Sequence, residues 1–214
     1  VNIDAGNYVH VRNVLISGEP DRGDDEGATF TGPTDPAKVA RIDRANPYAG
    51  STNIEVSDGD YVTIRNLTLV GANAGLWVHD NSDAFTLGRM TVTGNTGFGI
   101  RLENSGTSTL ADVAATDNGG DGIAILGGSG TLTLQRITAT GNAATGIAID
   151  GESGGTLENF TVHDNGTGIS VWNRNMGSVF TIGSPDLALA KGSRVYANAG
   201  TGISAGYNVL VAGN

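Results

Sequence analysis

Ionisable and aromatic side chains are sparse in this 214-residue sequence, and those that could do chemistry fall at fixed distances from a recurring Gly-aliphatic pair. Two and four residues after Gly75, Gly99, Gly122, Gly146 and Gly168 stand Trp77 and His79, Arg101 and Glu103, Ala124 and Leu126, Ala148 and Asp150, then Ser170 and Trp172. Tryptophan stacks its apolar face on a sugar ring, while arginines and carboxylates bond hydroxyls. Trp77, His79, Arg101, Glu103, Asp150 and Trp172 are therefore the candidate binding residues, with a polysaccharide or cell-surface glycan as partner. Glu103 and Asp150 are two repeats apart, about 10 Å if each repeat advances ~4.8 Å, slightly beyond the ~6.5–9.5 Å of an inverting glycosidase pair. A hydrolase pair is a poor fit.

A second cluster is acidic. Glu19, Asp21, Asp24, Asp25 and Glu26 lie within one short stretch. Oxygen ligands at this density suit Ca²⁺, with Asp21, Asp24, Asp25 and Glu26 as candidate ligands, although the alternating positions and closing Glu of an EF-hand are missing. A solvated acidic loop is the plainer account. The enclosed Arg22-Gly23-Asp24 tripeptide spells an adhesion motif that is common by chance.

Net charge is −10, and Lys38 and Lys191 are the only lysines, so no basic surface exists to release counterions from a nucleic-acid backbone. The absence of cysteine removes disulfides, thiolate metal sites and Cys nucleophiles. No stretch approaches the roughly 18 apolar residues of a membrane-spanning helix, so membrane insertion is not expected.

The elements that must position these residues follow from a repeat. The Gly-aliphatic pairs at Gly75, Gly99, Gly122, Gly146, Gly168 and Gly202 recur about every 23 residues, stretched once near the end, and Asn95, Asn118, Asn142, Asn165 and Asn198 precede five of them. VNIDAGNYVHVRNVLISG from Val1 also matches IEVSDGDYVTIRNLTLVG from Ile54. Within each unit apolar and polar residues alternate, as in TLTLQRITATGN, which is the period of a strand. Three short strands fit per unit. Stacking equivalent strands buries a file of aliphatics, with Ile100, Leu102, Ile123, Ile125, Ile147, Ile149, Ile169 and Val171 pointing inward. The expected fold is all-β: one parallel solenoid over 1–214, of about eight coils and three short parallel sheets. An insertion occupies 19–50 and a smaller one 183–193. Within the first, DPAKVARIDRA predicts a short helix capped by Asp35 with Pro36 at its first position, packing Val39 and Ile42 on the coils. The high glycine content, 34 residues, is read as tolerance of positive φ in sharp turns.

The runs TVTGNTGFGIRL, ITATGNAATGIAI and FTVHDNGTGISV resemble the right-handed parallel β-helix repeats of pectate-lyase-like proteins. That resemblance implies an internal asparagine ladder formed by Asn95, Asn118, Asn142, Asn165 and Asn198. It specifies the fold far better than an activity. Lyases of that family carry calcium-binding acids and a basic residue on the outer face of the first strand and its loops. The aligned positions here are Thr63, Thr86, Thr109, Thr133 and Thr156, which offer neither a base nor a metal site. The column Asn66, Arg89, Asp112, Arg136 and Asn159 alternates in charge and reads as a surface ion-pair ladder that holds Asp112 ionised. Thr68, Thr91, Thr93, Thr116, Thr138, Thr140 and Thr161 form an interrupted threonine array on the second strand.

The functional expectation is a structural or glycan-binding β-helix of an extracellular or cell-surface protein, without catalysis. A calcium-dependent lyase or epimerase acting on uronate polysaccharide is the alternative. Val1 and the closing YNVLVAGN both read as repeats in progress, so further coils or neighbouring copies are expected to cover both ends.

Overall fold

The computed structural model describes residues 1–18, 25–128, 130–184 and 192–212. Asp21 and Asp24, the Arg22-Gly23-Asp24 tripeptide and most of the 183–193 insertion lie outside them. Every strand pairing is parallel, and each coil stacks on the next in constant register, for example Ile100↔Ile123↔Ile147↔Ile169↔Ile203. The inward residues expected from alternation are buried, none more than 3% exposed. They join Leu87, Leu110, Leu134, Leu157 and Ile182 from the first limb of each coil and Val92, Ala115, Ala139 and Val162 from the second in a single core.

Among the described residues two sheets form, not three. The first and second limbs run together as one 13-stranded sheet, and the Gly-aliphatic strands make an 8-stranded one. The reason lies in the column Asn66, Arg89, Asp112, Arg136 and Asn159, each of which takes a φ between 50° and 60°. At Arg89, Asp112 and Arg136 the left-handed residue bends the chain without ending the strand, so Phe85–Thr93, Ser108–Thr116 and Thr131–Thr140 each continue across the bend, whereas at Asn66 and Asn159 the strand is interrupted. The regular coil is about six turns rather than eight.

No helix forms over Asp35–Ala45. Asp35 makes only an Asx turn, its Oδ1 accepting from Ala37 N at 3.0 Å. Ala40–Asp43 is then a strand between Gly6–Val9 and Leu67–Val70. Ala40 and Ile42 alternate inward with period two, and filling a vacant place in the sheet outweighs the local helix signal. Ile42 is buried as expected, but Val39 is 54% exposed.

The asparagine ladder is present. Asn95, Asn118 and Asn142 each donate both backbone N–H and side-chain Nδ2 to the Oδ1 of the asparagine one coil on, and Asn165 does the same to Asn198, all at 2.9–3.2 Å. This ladder corrects the reading of the repeat glycines. Gly99, Gly122, Gly146 and Gly168 do not have positive φ. A Cβ on Gly122 would lie 2.6 Å from Asn142 Nδ2 and 2.7 Å from Gly146 O, so the glycine is required by the close approach of the ladder.

Candidate functional site

Register brings the predicted residues onto the outer face of the eight-stranded sheet in two adjacent files. Glu55, Trp77, Arg101, Ala124, Ala148 and Ser170 form one. Ser57 and His79 begin the other, which continues through Glu103, Leu126, Asp150 and Trp172. The two tryptophans therefore stand on different files, and the residues separate into two groups.

The first group is closed on itself. Trp77 Nε1 donates to Glu103 Oε2 at 2.8 Å, and Arg101 Nη2 pairs with Glu103 Oε1. The rings of Trp77 and His79 lie 4.1 Å apart, while the Arg101 guanidinium sits 4.9 Å from the Phe98 ring. His79 lies between two carboxylates, Nε2 at 3.3 Å from Glu55 Oε1 and Nδ1 at 2.6 Å from Asp80 Oδ2. Glu55 and Asp80 were not among the sequence candidates. Glu55 is detectable only by placing the strand from Ile54 one coil before Trp77. These contacts leave Trp77 half-buried, with its polar edge already used.

The second group is open. Trp172 is 46% exposed. It rests against Gly206, where a Cβ would come within 2.6 Å of Trp172 Cε3, so the missing side chain makes room for the indole against the next coil. One coil back, Asp150 is paired with Arg174 Nη2 at 2.8 Å. Asp150 and Arg174 line a groove of about 730 Å³ that follows the turns leaving the eight-stranded sheet. Asn81, Asp83, Asn104 and Glu152 supply its polar walls, and Gly106, Gly127, Gly128 and Gly151 line it without side chains. Arg174 and the groove were missed in the sequence, where these glycines look like ordinary turn residues. Glu103 and Asp150, two coils apart through Leu126, have separate partners and do not form an acid pair.

The remaining columns lie outside these two groups. Arg136 forks onto Asp112 through Nε at 2.5 Å and Nη2 at 2.9 Å, and that hydrogen bond, helped by the charges of Arg136 and Arg89, holds the Asp112 carboxyl below its ordinary range. The first-limb threonine column is longer than expected, running Thr29↔Thr63↔Thr86↔Thr109↔Thr133↔Thr156↔Thr181 without interruption. Of the candidate calcium ligands that are described, Asp25 accepts a backbone hydrogen bond from Ser17 N at 3.2 Å. Among the described residues no group of three or more His, Cys, Asp or Glu converges in a way that could hold a metal ion.

Parallel coils in constant register, a buried asparagine ladder and a turn-lined groove define a parallel β-solenoid with a polar face. The chain belongs to the right-handed beta helix family, whose model matches residues 37–182, over half of its length. Two solved structures are similar to it. The Agl-KA catalytic domain aligns with a TM-score of 0.47 and 14% identity, over 99% of this chain and 47% of its own. The catalytic domain of a GH87 alpha-1,3-glucanase in complex with tetrasaccharides aligns with a TM-score of 0.40 and 12% identity, over 99% of this chain and 63% of its own. The chain thus spans less than two thirds of either. No curated protein matches the sequence.

Proposed function

We propose that this β-helix binds a glycan without cleaving it, in an extracellular or cell-surface setting. The observation that carries the reading is Trp172, half exposed and seated against Gly206, in register with Asp150 and two residues from Arg174 of the groove. An exposed indole offers an apolar platform to a sugar ring, and the neighbouring polar groups can bond its hydroxyls. The reading assigns no catalysis to the first-limb face, a run of threonines, or to Glu103, which is held by Trp77 and Arg101, and takes the groove carboxylates Asp83 and Glu152 as acceptors for sugar hydroxyls. Neither the threonines nor the held Glu103 supplies a general acid or base free to act.

Native-gel affinity electrophoresis through soluble neutral glucans, mannans and xylans and through polyuronates tests the proposal, with the same mixtures assayed for new reducing ends. Retardation by at least one polysaccharide, lost in Trp172→Ala and without new reducing ends, supports it. Retardation by none overturns it. So does polysaccharide cleavage, or unsaturated-uronate absorbance that appears with added Ca²⁺.

A further inference from the structure

We infer that the groove accepts uncharged glycans and turns away polyuronates, an inference that rests on the glycan-binding reading. Its lining carries three carboxylates, Asp83, Asp150 and Glu152, against the single guanidinium of Arg174. That guanidinium is already matched by Asp150 at 2.8 Å. Asp83 Oδ1 accepts from Ala84 N at 2.7 Å and Thr107 N at 2.5 Å, whereas its Oδ2 meets no donor among the described residues. Glu152 is exposed and its carboxylate likewise has no partner among them. Two carboxylates thus line the groove without a cationic partner, on a chain of net charge −10.

Carboxylates are acceptors only, and sugar hydroxyls are donors, so a neutral chain lying along the turns supplies what these groups lack. A uronate in the same place sets its own carboxylate beside them, at a cost that ordinary salt partly screens. The glycine-lined wall leaves room for the rings. From the turn of Asp83 to that of Arg174 the groove crosses four coil spacings, about 19 Å, the length of a short oligosaccharide.

The test is calorimetric titration of the whole chain with hexamers of neutral glucose, mannose and xylose and with hexagalacturonate, at about 20 mM and about 300 mM NaCl. The expected result is that the best neutral hexamer binds at least about tenfold tighter than hexagalacturonate at low salt. Added salt should leave neutral binding unchanged and strengthen hexagalacturonate binding. Glu152→Gln, which breaks no contact, should narrow the preference to about threefold or less. Hexagalacturonate binding as tightly as the best neutral hexamer, weakening with salt, or indifferent to Glu152→Gln would overturn the inference while leaving the glycan-binding reading standing. Binding of no hexamer would remove both.

Discussion

Trp77 donates its indole N–H to Glu103 Oε2 at 2.8 Å, from one coil to the next across the outer face of the eight-stranded sheet. The same carboxylate pairs with Arg101, so one acid holds an aromatic and a cation in place. Composition presents Trp77 and Trp172 as equals. What lies one coil further on makes them different, a carboxylate for Trp77 and a bare glycine, Gly206, for Trp172.

Removing that carboxylate should therefore free Trp77. In Glu103→Ala the indole N–H and the Arg101 guanidinium lose their common acceptor, at a cost of about 1–3 kcal/mol. Acrylamide quenching of tryptophan fluorescence should rise in this variant with Trp172 replaced by Phe as background. Unchanged quenching would mean that the tilted ring contact with His79 alone fixes Trp77.

The asparagine ladder should dominate stability. Asn142→Ala takes the acceptor from the backbone N–H of Asn118 and from one N–H of its side-chain amide, which keeps Val92 O, and removes the side-chain donor to Ala115 O. Each buried unsatisfied group costs about 1–3 kcal/mol, so a loss of about 3 kcal/mol or more is expected in urea unfolding. A loss below about 1 kcal/mol would show that water or repacking satisfies the gap.

Two glycine substitutions separate steric from conformational demands. Gly122→Ala sets a methyl 2.6 Å from Asn142 Nδ2 and should cost about 1–3 kcal/mol through overpacking, with loss of ladder amide protection in hydrogen exchange. Gly94→Ala has nothing within 4 Å and a φ of +64°, so it should cost about 1 kcal/mol and leave the ladder protected. Equal costs and equal protection would contradict the close-approach account.

Asp112 provides the pH dependence. Its folded-state pKa is lowered, chiefly by the hydrogen bond from Arg136, so its contribution is present above the unfolded value of about 3.9 and is lost as pH falls through the folded value. The pair is largely exposed, and solvent screening limits Asp112→Asn to under about 1 kcal/mol at pH 7. Comparing wild type and variant by urea unfolding from pH 7 to pH 2 should bring the two curves together as pH falls from about 3.9 through the lower folded value. A gap that persists or widens in acid would assign the effect to something other than the Arg136 pair.

Alternation and constant spacing made the core and the asparagine column legible, because a parallel stack repeats the same environment at each coil. Ile100, Ile123, Ile147 and Ile169 are buried for the same reason. Local signals misled where the sheet offered a better place. Asp35-Pro36 reads as a helix start, yet Ile42 gains more as a strand residue. The union of two strands across Arg89 was hidden because a left-handed arginine looks like any other residue in the sequence. The site was only half visible. Its ionisable residues stand out in a sparse chain, but the groove is defined by missing side chains at Gly106, Gly127 and Gly128, and the availability of each tryptophan depends on a neighbour more than twenty residues away.

The chain has only two tryptophans, so its side-chain indole N–H resonances report directly on which of them meets a ligand. Titrating ¹⁵N-labelled protein with the neutral hexamer it binds best should shift or broaden the Trp172 indole peak and leave the Trp77 peak, tied to Glu103, in place. Movement of Trp77 alone, or of neither indole at saturating ligand, would contradict the assignment of glycan binding to the groove beside Trp172.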